Sequence, residues 1–572
     1  MSSVVEQELR ASPEPMPLTA KPAIAVLGIA ALTAELSACG GGGGSAAAPP
    51  PPAPAPAPAP APITIADAGR FLTQATLGFT RSDITGLMAS TYSAWIDAQF
   101  ATARSQGHYD WLIANGYNAA ANINGSAGLD NTIWRKFISS PDGLRQRVVL
   151  ALSEICVASV LGIDASWRQF SVANYLDILE ANAFGNYRTL LQQISLSPAM
   201  SYYLTYRGSA KANPTTGSEP DENYARELMQ LFTIGLLKLN DDGSVQTNGT
   251  GAGIETYTQD DVSGLARVFT GWNIDLTGFS SPYPPDIQQR PLVSTASKYE
   301  TGSKTFLGTT IPAGTSAVNS LTMALDALFN HTNLPPFISK QLIQHLVTSN
   351  PSPGYVGRVT AAFINNGSGV RGDMQAVIKA ILLDAEARSA TTAATASFGK
   401  LREPVVRFLN WARAYKASSA SNTWAIGDLS DPATRLGQSP MRSSSVFNFF
   451  RPGYVPPDTA LSAQSLTGPE FQITNESSVA GYVNYMQKVI NGSAVGDLMP
   501  DYTGLLALAA TSSALLKEIN EVLAGSQVSA ATLTTIQGAI DTMPSATSAN
   551  LLNRVKAALV LVMASPEFIA QK

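Results

Sequence analysis

The chain has 572 residues, of which 14% are charged, with a net charge of −5; the usual charged share is ~25%. That balance excludes a nucleic-acid binder, which would carry a basic field. The 45% hydrophobic content excludes a wholly disordered chain. Only three histidines occur, His108, His331 and His345, and none forms an H-x-x-x-H pair, so the sequence predicts no metal site and no cofactor.

Residues 1–39 read as a signal peptide. Lys21 precedes a 13-residue apolar run, Pro22 to Ala34, too short to span a membrane, which takes ~20 residues. Leu36-Ser37-Ala38-Cys39 follows and resembles the bacterial lipobox. That resemblance makes Cys39 the lipid-modified first residue and the membrane a partner through this anchor. Gly40 resembles the sorting signal for the outer membrane, facing the periplasm or the cell surface. A plain signal peptide with an incidental cysteine is the alternative, and a start at Met16 rather than Met1 gives the more ordinary signal. Residues 40–62 hold five glycines and then a proline–alanine tract, a composition that predicts a disordered tether.

From Ile63 onward, helical periodicity dominates. Residues 144–161 predict a buried helix, apolar nearly all round. Residues 219–236 predict an amphipathic one, with Glu222, Asn223, Arg226, Glu227, Gln230 and Thr233 on its polar face. Thr258-Gln259-Asp260-Asp261 is a capping box opening a helix to about Phe269. Further helices are expected at 317–329, 335–348, 355–365, 371–388, 399–416, 470–491, 503–524, 528–541 and 549–563, with Ser565-Pro566 starting a short terminal one. Residues 240–257 and 275–313 are rich in turn formers and predict one or two short hairpins, for example around Lys304 to Gly308. The expected fold is mainly α: one large multi-helix body over 63–572, with minor short β-hairpins and room for a C-terminal helical subdomain from about 399.

No nucleophile elbow, phosphate loop, dinucleotide fingerprint or C-x-x-C occurs. The chemistry left to the chain lies in its carboxylates, arginines and aromatics. Glu154 is the only charged residue between Val148 and Leu161, and a buried carboxyl must find a cation or keep a proton. Arg147, Arg226 or Arg267 could answer it in an ion pair; otherwise it is a catalytic acid. Glu222, Glu227 and Asp261 are the other catalytic candidates. Asn223, Arg226, Arg267 and Trp272 complete a polar cluster, if other segments cover that face; if none does, it is a solvated surface.

Leu144 to Arg147, Pro198-Ala199-Met200, Pro220 to Gly235, Asp261 to Trp272, and Ser443 to Pro457 with Val446-Phe447-Asn448-Phe449-Phe450-Arg451-Pro452-Gly453-Tyr454 resemble the family catalogued as domain of unknown function 1800. The resemblance covers residues 66–570. It implies an exported bacterial protein, often encoded beside a partner of the domain of unknown function 1501 family, and carries no established activity. Where many members have a His-Asp pair, this chain has Tyr299-Glu300. Two functions follow as alternatives. One is a tethered envelope scaffold or ligand- and partner-binding protein. The other is a carboxylate-dependent hydrolase outside the cytoplasm, with polysaccharide as a candidate substrate.

If Cys39 carries the anchor, Cys39→Ser abolishes incorporation of labelled palmitate and moves the protein from the membrane to the soluble fraction. Identical partitioning of variant and wild type sinks the lipoprotein reading.

Overall fold

The computed structural model describes residues 62–572; the signal segment, Cys39 and nearly all of the linker lie outside the described residues. The capping box at Thr258 forms as the sequence predicts. The Thr258 side chain accepts from Asp261 N–H, and the Asp261 carboxylate accepts from Thr258 N–H at 2.8 Å. The helix it opens runs Gln259–Ala266 and tightens into a 3₁₀ turn, Arg267–Phe269. Lys304–Phe306 and Thr309–Ile311 form the expected hairpin, closed by Leu307 and Gly308, both at positive φ.

The fold is mainly α, with only two-stranded antiparallel pairs besides the helices among the described residues. Residues 62–572 fall in one compact unit. Among the described residues no helix is long and apolar enough to cross a membrane.

The later helices match the predicted ones closely: Ala317–Asn330, Leu334–Leu346, Pro353–Ile364, Ala530–Asp541 and Ser548–Met563. The segment at 503–524 divides into Thr503–Leu508 and Ser512–Val522, and those at 399–416 and 470–491 start later, at Pro404 and Glu476. Three more differ for local reasons. The segment predicted at 144–161 is helical over Gly143–Ile155 (α1), because Cys156 takes ψ 71° and ends it. The segment at 219–236 is helical only over Asn223–Gln230 (α2). There the Thr233 hydroxyl donates to the Leu228 carbonyl at 2.6 Å, Ile234 and Gly235 N–H both turn back to Met229, and Gly235 sits at φ 67°. The segment at 371–388 breaks at Asp384, whose carboxylate caps the next short helix.

Three helices and one strand pair position the buried polar groups. Helix α1 is buried on nearly all sides and packs against Leu334–Leu346 (α3). Helix Pro404–Ala414 (α4) starts on a proline and is preceded by strand Lys400–Leu401 (β1). That strand pairs antiparallel with Ala570–Gln571 (β2) at the end of the chain, Lys400 opposite Gln571. The pairing leaves no room at Gly399. The residue sits at φ +107°, and an added Cβ would fall inside contact distance of the Gln571 carbonyl oxygen.

Gly399→Ala is therefore expected to destabilise the protein by about 2–3 kcal/mol, from strained backbone and a displaced strand. Chemical unfolding of the two proteins measures this. Equal midpoints would show that β2 moves aside without cost.

Candidate functional site

Glu154 stands in the last turn of α1, His345 in the last turn of α3 and Glu403 at the N-cap of α4. An N-cap side chain ordinarily accepts a backbone N–H from its own helix. Glu403 caps nothing and turns its carboxylate inward instead. There it meets the other two: one ligand-type atom from each of Glu154, His345 and Glu403 lies within 4.8 Å of the others.

Neighbouring side chains hold the trio. Gln438 Nε2 donates to Glu403 Oε2 at 2.8 Å and to Glu154 Oε1 at 3.3 Å, bridging the two carboxyls. Lys400 Nζ lies 3.4 Å from Glu403 and 2.9 Å from Glu470, and donates to the His345 carbonyl at 2.9 Å. Arg147 Nη2 donates to the same carbonyl at 2.5 Å. Glu403, Glu470, Gln438, Lys400 and Arg147 are all buried. Glu154 Oε2 lies 3.0 Å from His345 Nδ1, with side chains 5% and 8% exposed. Neither atom makes a hydrogen bond there.

Burial decides the charge states. It drives the Glu154 carboxyl well above the usual range, and the adjacent Glu403 charge drives it further. Burial would raise Glu403 too, but Lys400 and the proton shared with Glu154 hold it below the usual range. Glu470 is raised by burial against the pull of Lys400. Burial, with Lys400 behind it, brings the His345 imidazole down to about 3, so it is neutral.

Two recesses adjoin the trio. One is lined by Leu150, Ser153, Glu154, Gln438, Asn448 and Phe449, and the other by Glu154, His345, Asn448, Phe450, Pro452 and Glu470. Each has a free volume of about 10 Å³, the space of about one water. Asn448, at φ 59°, borders both.

Of the four catalytic candidates the sequence singled out, the structure brings Glu154 alone to this site. It lies beside His345 and accepts from Gln438, with Arg147 near enough to favour its charged form, so neither Arg226 nor Arg267 answers it. Glu222 lies on a half-exposed rim, 3.3 Å from Arg226, with hydrogen bonds from Gln259 and Ser263. With 32% and 36% of these two side chains exposed, the pair contributes at most about 1 kcal/mol. Asn223 is half-buried and donates its backbone N–H to Asp221. Asp261 is a structural cap that also accepts the Leu307 N–H at 2.6 Å. Arg267 is exposed, and Trp272 is a core side chain bonded to the Val268 carbonyl. Tyr299 is likewise in the core, its hydroxyl 2.6 Å from Ser320 Oγ, and Lys304 lies over its ring.

Glu227 is buried by itself. It is 7% exposed, its Oε2 has no hydrogen-bond partner, and burial raises its carboxyl to about 7 against a weak pull from Arg226.

Sequence reasoning missed His345, Lys400, Glu403, Gln438 and Glu470. Signals for two parts of this group were present. Lys400-Leu401-Arg402-Glu403 crowds three charges before a proline in a chain poor in charge, and His345 is a lone polar ring among Leu342, Ile343, Leu346 and Val347.

A family model described as "Protein of unknown function (DUF1800)" matches residues 70–570, and the chain belongs to that family. No curated protein and no solved structure matches it. Two of the sequence runs that carry the likeness, 144–147 and 443–457, lie at the trio. Two others, 220–235 and 261–272, pack their aromatics together, with Tyr224 against Phe269 at 4.7 Å.

The lone carboxyl at Glu227 sets a pH dependence. An unfolded glutamate loses its proton near pH ~4.3, whereas the folded one keeps it to about 7. Ionisation therefore costs the folded state, and stability falls as pH rises from ~4.3 through 7. Glu227→Gln removes this loss. The variant should equal the wild type at pH 4 and exceed it by about 2–3 kcal/mol at pH 8 in chemical unfolding. A variant less stable at pH 8 would show that the carboxylate has a partner.

Proposed function

We propose that this chain is a hydrolase of the cell envelope, tethered through lipid on Cys39 and working at the Glu154–His345–Glu403 recess. One observation carries the reading: two carboxyls and an imidazole from three distant segments converge on water-sized spaces. Hydrolysis needs a water seated beside a group that takes its proton and a group that steadies the negative charge formed. Glu403, the carboxyl that stays ionised, supplies the first, and the Lys400 ammonium supplies the second. The carboxyl and imidazole atoms lie within 4.8 Å, closer than the ~5–5.5 Å or ~6.5–9.5 Å of two-carboxylate glycosidases. A water-activating group therefore fits better than a separate acid and nucleophile. The half-exposed rings of Phe447 and Phe449 on the loop beside the recess suit a sugar face, which keeps polysaccharide as a substrate class.

The recesses hold no more than about a water each, and that favours a second reading, a tethered scaffold with a buried polar core. Glu403→Gln and Glu154→Gln separate the two. In a hydrolase they cut turnover of envelope polysaccharide, or of chromogenic glycosides and esters, by ~10²-fold or more while folding is kept. In a scaffold Glu403→Gln takes a partner from Lys400 and lowers the unfolding temperature, whereas Glu154→Gln replaces a protonated carboxyl and leaves it nearly unchanged. Wild-type protein inactive on every substrate of that panel, with Glu403→Gln unstable, sinks the hydrolase.

A further inference from the structure

We propose that Glu154, His345 and Glu403 bind one divalent transition-metal ion, with Gln438 as the positioning residue behind them. The inference rests on the hydrolase reading only for its choice of site, since metal content is measured without turnover.

Each of the three residues offers one ligand atom, and these atoms lie within 4.8 Å of one another. An ion bonded at ~2.0–2.2 Å sets opposed ligands up to ~4.4 Å apart. Three ligands cannot all be opposed, and tetrahedral ones at that bond length sit ~3.4 Å apart, so closing the trio onto an ion takes side-chain shifts of up to about 1 Å. One imidazole nitrogen with two carboxylate oxygens suits Zn²⁺ or Mn²⁺ better than Ca²⁺ or Mg²⁺, which take oxygen alone.

A second observation points the same way. His345 Nδ1 and Glu154 Oε2 face each other at 3.0 Å without a hydrogen bond, although both side chains are more than nine-tenths buried. Buried polar atoms are almost always partnered. Glu470 Oε2 is a third such atom, and Glu470 lines the same recess as Glu154 and His345. Three unpartnered buried atoms around one recess are accounted for together by an ion and its bound water.

The surroundings are built for ligands held in place. Gln438 clamps the outer oxygen of Glu154 and one oxygen of Glu403, which fixes both carboxyls and leaves Glu154 Oε2 turned to the histidine. Ligands oriented in this way by neighbouring hydrogen bonds are a regular feature of metal sites. Of the adjoining cations, Lys400 lies between Glu403 and Glu470, and Arg147 donates to the His345 carbonyl, so a bound ion shares Glu403 with the ammonium. The ligands come from the ends of two packed helices and the start of a third, so their backbones are fixed without the ion.

The test uses the full-length protein in detergent, stripped with a chelator and titrated with Zn²⁺ or Mn²⁺ alone. The expected result is one ion per chain by mass spectrometry of the metal, with a rise in unfolding temperature. Co²⁺ should give visible absorption bands that report a nitrogen–oxygen site. His345→Asn and Glu403→Gln should abolish stoichiometric binding, and Gln438→Ala should weaken it about 10–100-fold. If His345→Asn fails to fold, the Co²⁺ spectrum of the wild type and the Gln438→Ala affinity still decide. No ion bound above background, or equal binding by wild type and a folded His345→Asn protein, overturns the proposal. One bound ion without turnover leaves the metal site standing and removes the hydrolase. Turnover by a protein that binds no ion above background does the reverse.

Discussion

A lysine ammonium withdrawn from water has to be answered by charge and hydrogen bonds, because an isolated buried ion costs several kcal/mol. Lys400, with its side chain 1% exposed, is answered by Glu403, Glu470 and the His345 carbonyl at once. That requirement fixes most of the site. It draws the start of α4, the 3₁₀ turn at Pro469–Ile473 and the end of α3 to one point. The same cation decides which carboxyl is ionised. Of the facing pair, Glu403 lies 3.4 Å from it and stays charged, and Glu154 across the gap keeps the proton.

The family's sequence signatures separate into two kinds of work. The run at 144–147 supplies Arg147 to the carbonyl that Lys400 also uses, and the loop at 443–457 lays Asn448, Phe449 and Phe450 over the recesses. The runs at 220–235 and 261–272 instead build an aromatic packing unit, in which Tyr224 stacks on Tyr206 at 4.4 Å and meets Phe269 edge-on. The second group carries more polar residues per turn, yet its acids end up capping a helix, lying on a rim or buried alone. A dense polar motif can be a requirement of folding rather than of chemistry.

How far the sequence could be read depends on the range of each interaction. The helix after Thr258 was legible because its cap lies within four residues, and the 304–311 hairpin because its turn residues sit between its strands. The shortened helix at 223–230 was not, because a Thr233 hydroxyl competing for a carbonyl leaves the hydrophobic periodicity unchanged. Glu154 was found by asking where a lone charge in an apolar helix would go. Its partners were beyond that method, since His345 and Glu403 belong to helices whose approach is set by core packing and not by spacing along the chain. The scarcity of histidines gave no sign of this group for the same reason. Local ligand spacing describes sites on one helix, and this group takes one residue from each of three. The wheel that put Glu222 and Arg226 on one polar face was correct, but it held no information on what covers that face.

The pairing of Lys400–Leu401 with Ala570–Gln571 has a consequence for the order of folding. The strand that carries the central ammonium has a partner far away in sequence, and Gln571 also donates to the Leu346 carbonyl beside His345. A pairing of that separation closes a large loop, and the entropy it costs is recovered only when the segments between are already packed. Helices stabilised by contacts within a few turns can therefore be in place before the register of Lys400 is set, and the charges of the site are aligned late.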